Sequence, residues 1–159
     1  MYQIEIQNDR PFPVNEPRLV DAAAFVLESH EVMDESGLTI VITIDEDVQA
    51  LNREFRNVDA PTDILSFPAD DIPDIGDDDE PPYLGDLIIA YPYASAQAAH
   101  AGHDMDDSMT LLVVHGTLHL LGYDHDTPEN RDLMWQAQAH ALRALNVPLE
   151  IVPDLEKDE

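Results

Sequence analysis

A chain of 159 residues is long enough to bury one proper core and short for two. It contains no cysteine, which excludes disulfides and thiolate metal ligands and suits a reducing compartment. Its 34 acidic side chains against 7 basic ones give a net charge of −27, so the surface as a whole repels polyanions. Any nucleic-acid binding must therefore use a local basic spot, a metal or a partner protein.

In chain order, Tyr2 to Gln7 alternates apolar and polar as a half-buried strand does. Glu16 to Val32 has helical periodicity through Leu19, Ala23, Val26 and Leu27. Leu38 to Ile44 is rich in β-branched residues and predicts a buried strand, after which Asp45 can cap a helix through Val48, Leu51 and Phe55. Pro61-Thr62-Asp63 introduces a short strand, Ile64 to Phe67. Residues 69–82 pack seven acidic side chains around prolines and predict a solvated, mobile acidic loop; the ligand order of a calcium loop is absent. Leu84 to Ala90 is a further strand closed by Pro92, and Ala94 to Ala101 is helical. Asp104 can cap a long helix, and Thr127-Pro128 is a suitable N-cap and first-turn pair for a last helix reaching Leu145. Pro148 and Pro153 then mark an acidic tail over 149–159. Four strands and about five helices predict one α+β domain over 1–148 with a mixed sheet.

Met1 to Arg10 is charged and has no apolar core of a signal peptide, and Leu111 to Leu121 is too short to span a membrane. A cytoplasmic protein with no membrane partner is the expectation.

The chemistry lies in His115-Gly116-Thr117-Leu118-His119-Leu120-Leu121-Gly122-Tyr123-Asp124-His125. His115 and His119 are just over one helical turn apart, so both imidazoles leave the same face. Gly122 can take the left-handed conformation that ends a helix, letting His125 swing back toward them. Three imidazoles without a fourth protein ligand describe an open, catalytic zinc site. The spacing is that of metzincin proteases, but the glutamate those enzymes need after the first histidine is here Gly116. The metal-binding half of the motif is present and the peptidase half is missing. The bland alternative is an apolar helix carrying incidental histidines, which does not account for the third one.

These residues resemble the YbeY family of bacterial endoribonucleases, or rRNA maturation factors. His115 to His125 fits the family's H-G-x-L-H-L-x-G-Y-D-H throughout. Leu51-Asn52-Arg53-Glu54-Phe55-Arg56, continuing through Asp59, Pro61-Thr62-Asp63 and Leu65-Ser66-Phe67-Pro68, is similar to a second family segment, and Leu84-Gly85-Asp86-Leu87-Ile88-Ile89 to a third. The resemblance implies a zincin-like fold and one metal, zinc with nickel possible, held by His115, His119 and His125. It implies a single-strand-specific endoribonuclease of ribosomal RNA processing and quality control. The small ribosomal subunit or a basic ribosomal protein is the expected partner. Arg56 matches the family's functional arginine, which makes Arg56 and His115 the catalytic candidates.

Arg56 suits phosphoryl oxygens because its planar fork binds two at once; the alternative is a structural pair with Asp59 or Asp63. Asp124 either orients a histidine or caps the turn after Gly122. Asp126 precedes the Thr127 cap. Thr62, Ser66 and Asp86 read as turn and strand hydrogen-bonders, Met134 as core, and His30, His100, His103 and His140 as surface or cap residues. Two rival functions are a metallopeptidase, against which Gly116 argues, and a non-catalytic assembly factor that keeps a metal for stability.

Overall fold

The computed structural model describes residues 1–69 and 81–152. The acidic segment at 70–80 and the tail at 153–159 lie outside the described residues.

Four strands form one sheet in the order β1-β2-β4-β3, where β1 is Gln3–Gln7, β2 Gly37–Thr43, β3 Ile64–Pro68 and β4 Tyr83–Ala90. β1, β2 and β4 run parallel, and β3 lies antiparallel on the edge beside β4. With the helices α1 (Glu16–Ser29), α2 (Asp45–Arg56), α3 (Tyr91–Ala101), α4 (Met105–Leu120) and α5 (Pro128–Ala144), this is the mixed-sheet α+β architecture the sequence predicts.

The sheet is apolar on both faces at its centre, which explains the near-continuous hydrophobic run of β2. Leu38, Ile40 and Ile42 of β2, with Leu87 and Ile89 of β4, face the main core, where α1, α4 and α5 pack. Ile88 and Ala90 point the other way, onto Val48 of α2. Every residue of α4 from Met109 to Leu118 is buried, so this helix is apolar all round because it runs through the core. His115 and Thr117 are polar residues carried into that interior.

Local chemistry sets the helix ends. Asp104 accepts from the Asp107 amide and Thr127 from the Asn130 amide, as N-caps should. Asp45 differs from expectation: it is the first residue of α2, after Ile44, and its carboxylate accepts from the Tyr93 amide at 2.9 Å. It therefore ties the starts of α2 and α3 together. α3 begins at Tyr91, with Pro92 inside its first turn instead of closing the strand from outside. The chain also stays packed beyond residue 148. Leu149–Ile151 forms a 3-10 turn whose Ile151 is buried in the core, so the start of the expected tail is docked.

Candidate metal centre

α4 ends in a turn that aims its histidines. Leu121 is the C-cap, and Gly122 takes a φ of +100°. The Tyr123 amide then reaches back to the Leu118 carbonyl at 3.1 Å, and the Gly122 amide to the His119 carbonyl at 3.0 Å. That pair of bonds is the Schellman closure of a helix, with glycine where a Cβ would be strained. It reverses the chain within five residues of His119. The Asp124 carboxylate accepts the His125 amide at 2.8 Å, within the turn, and its charge also acts on His119.

The outcome is a cluster of His115, His119 and His125, whose candidate ligand atoms all lie within 4.8 Å of one another. The ring centroids are 4.6 Å apart for His115–His119, 5.0 Å for His119–His125 and 5.6 Å for His115–His125. The Nε2 atoms of His115 and His119 face each other at 3.1 Å.

Their protons are placed by what the other ring nitrogens touch. His119 Nδ1 donates to the Tyr123 carbonyl at 3.0 Å, and His115 Nδ1 donates to Gln138 Oε1 at 3.0 Å. Both Nε2 atoms are then bare lone pairs. Two lone pairs at this distance repel unless a cation sits between them, and ligands at about 2.0–2.1 Å in a tetrahedron are spaced about 3.3–3.4 Å. The donor set therefore fits a divalent ion that takes nitrogen ligands.

Burial favours the neutral form of His115 and His119, the form a metal requires. His115 is 2% exposed. Desolvation, with His119 and His125 adding to it, pushes its pKa down to about 3 against the opposing effect of its hydrogen bond to Gln138. Burial first, then His125, lowers that of His119 also.

These groups line a groove of about 660 Å³ together with Asn52, Arg56, Thr62 and Ser66. Arg56 stands in the last turn of α2. That helix opens with Asp45, Glu46 and Asp47 and closes with Arg53 and Arg56, the charge order its dipole favours. The Arg56 guanidinium donates to the Ser66 carbonyl at 2.8 Å and lies 5.5 Å from the Phe67 ring centre. Arg53, and not Arg56, meets Asp59, at 3.5 Å. Among the described residues Arg56 has no carboxylate partner.

Other sequence candidates fall outside the centre. Asp126 accepts from Asn130, Asp86 accepts from the Tyr83 hydroxyl, and Met134 is core. His140 packs on Phe25. The sequence reading missed Gln138 and Trp135, both on α5. Gln138 is 1% exposed, and the Trp135 ring stands edge-on to His115 at 5.9 Å and His125 at 5.8 Å. The available signal was a glutamine at helical spacing from the buried Met134. Gly116 also has a structural reason: a Cβ there would meet the Leu87 and Ile64 side chains at 2.8 and 2.9 Å. The metzincin glutamate is thus replaced at a point where α4 lies directly against Leu87 and Ile64 of the sheet.

The family model for endoribonuclease YbeY matches residues 3–146. A Chloroflexus aurantiacus protein named endoribonuclease YbeY is 41% identical over 154 residues, covering 94% of this chain and 99% of its own length. A Corynebacterium diphtheriae protein of the same name is 40% identical over 146 residues, covering 88% of this chain and 74% of its own. The solution structure of TM1509 from Thermotoga maritima shares the fold at a TM-score of 0.57 and 21% identity, over 97% of this chain and 95% of that one. Together, the match along nearly the whole described domain and the identity to full-length relatives establish that the chain belongs to the endoribonuclease YbeY family.

Proposed function

We propose that this chain is a zinc-dependent, single-strand-specific endoribonuclease of ribosomal RNA processing and ribosome quality control, acting in the cytoplasm. The carrying observation is the pairing of two converging imidazole lone pairs with an arginine across one groove. His115, His119 and His125 would hold the ion, which supplies Lewis acidity toward a phosphoryl oxygen or water. Arg56 is placed to bind the phosphoryl oxygens as their charge grows, its fork already oriented by Ser66 and Phe67. Gln138 and the Tyr123 carbonyl keep the ring protons on Nδ1, leaving both Nε2 atoms free for the ion.

The aromatic side chains beside Arg56 support the preference for single strands. Phe55 is 59% exposed and stands edge-on to Phe67 at 5.5 Å, beside Arg56. Aromatic faces next to a cation bind unpaired bases, whose π-faces a duplex conceals. With so few cations available, recruitment to the ribosome is assigned to a basic protein partner that meets the acidic surface. Among the described residues no helix is long and apolar enough to cross a membrane.

The test is metal analysis of the purified protein with cleavage of matched single- and double-stranded RNA by the wild type and Arg56→Ala. One metal per chain, cleavage of the single strand alone, and a 10²–10³-fold lower kcat for the variant at unchanged metal content and melting temperature are expected. Arg56→Lys restores part of the rate. A metal-replete wild type that cuts no single-stranded RNA overturns the reading.

A further inference from the structure

We propose that His30 is a positioning residue for the metal centre, acting from the far end of α1 through Tyr123. The proposal rests on the reading of the three histidines as metal ligands. His30 is the C-cap of α1 and stands 93 residues from Tyr123 in sequence. Its Nδ1 lies 2.8 Å from the Val26 carbonyl, an acceptor only, so Nδ1 carries the proton. In the neutral ring Nε2 is then a lone pair, and it accepts the Tyr123 hydroxyl at 2.9 Å. The rings meet edge-on, 5.4 Å apart at 85°.

Tyr123 is the residue on which the ligand turn hangs. Its amide closes the end of α4 on Leu118, and its carbonyl accepts the His119 Nδ1 proton. Its side chain adds the third attachment, the one that reaches outside the motif. Two residues on comes His125. A turn held only by its own backbone can tilt about the helix end; a phenol anchored to a separate helix removes that freedom. α1 is a firm anchor, since Leu19, Ala22, Ala23, Val26 and Leu27 are all buried in the main core. The path from α1 to the centre is Val26 carbonyl, His30 ring, Tyr123 hydroxyl, Tyr123 carbonyl, His119 Nδ1. Every link but the covalent one is a hydrogen bond of 2.8–3.0 Å.

The experiment uses the full chain, measuring zinc affinity by competition with a chromophoric chelator and the visible absorption of the cobalt-substituted protein. His30→Leu and Tyr123→Phe should each weaken zinc binding by about 10-fold, the lower end of what losing a partner behind a ligand costs. Each should also alter the cobalt bands, which a change in general stability does not. The double variant should bind like either single one, because both remove the same contact. His30→Gln should stay within about 2-fold of wild type, its amide oxygen accepting the phenol. Tyr123→Phe deletes one oxygen atom and keeps the reading testable if His30→Leu folds poorly. Wild-type affinity and cobalt bands in both single variants overturn the proposal, as do losses that multiply in the double variant. A wild type that binds no divalent ion would instead overturn the metal reading beneath it.

Discussion

Gln138→Leu separates the roles of metal holding and core packing, because its two energetic effects act on different states. In the metal-free protein the change removes the acceptor of the buried His115 Nδ1 proton, a loss of about 1–3 kcal/mol. It also removes Gln138 Nε2, a buried donor with no partner among the described residues, which returns a similar amount. Stability of the metal-free fold should therefore change by about 1 kcal/mol or less. The metal-bound state fares differently. Without Gln138 the His115 proton can move to Nε2, where the His119 lone pair 3.1 Å away accepts it. That internal bond must be broken before an ion enters. A 10–100-fold loss of zinc affinity is expected, or about 1.4–2.8 kcal/mol. Chelator competition measures the affinity, chemical denaturation of metal-free protein the stability, and nitrogen NMR of the imidazoles the tautomer. Zinc affinity within 3-fold of wild type, together with a marked loss of stability, would show that Gln138 is only a packing residue. Finding the His115 proton on Nε2 in the metal-free wild type would refute the argument at its root.

Restoring the protease glutamate with Gly116→Glu should cost more than about 3 kcal/mol and give no peptidase activity, since the first side-chain atom already presses on Leu87 and Ile64; a stable variant that cleaves peptides contradicts this. For His115 the folded pKa of about 3 lies below the free value of 6.5, so on acidification the unfolded chain takes the proton first. The metal-free fold should keep this contribution above pH 6.5 and lose several kcal/mol of it progressively down to about pH 3. Denaturation series compared with metal-free His115→Leu cancel the other acids, and parallel curves for the two proteins would contradict the assignment. For RNA binding, two or three phosphate contacts through Arg53, Arg56 and the ion predict a log–log salt slope of about −1.4 to −2.1. Phe55→Ala should weaken that binding by about 1–3 kcal/mol at an unchanged slope; a slope steeper than about −4 in the isolated protein rules out this picture.

The centre was far more legible in the sequence than its supports. Residues 115–125 carry their own geometry, since two histidines a turn apart and a glycine after them are local instructions that helix and turn chemistry carry out directly. The strands and helices were legible for the same reason, as periodicity and caps act over a few residues. Gln138 and His30 were not, because nothing local distinguishes a buried glutamine or a helix-end histidine from a surface one; only the packing of α5 and α1 around α4 brings them to the site. Asp45 shows the reverse case. Its sequence signal as a cap was sound, but the helix starts one residue earlier and the Tyr93 amide claims the carboxylate. Arg56 was undecided between a carboxylate partner and a phosphate; in the fold Asp59 meets Arg53 instead, and Arg56 lines the groove.

The position of β3 at the sheet's margin has a consequence for what can lie along the groove. An unpaired strand edge invites another polypeptide to add itself as a further strand through backbone hydrogen bonds, a route by which extended peptides are captured and by which chains aggregate. Here the invitation is blunted twice. The Arg56 guanidinium already occupies the Ser66 carbonyl, and Pro68 brings no amide hydrogen. The side chain proposed to grip a phosphate thus also takes away an attachment point that an extended peptide would use.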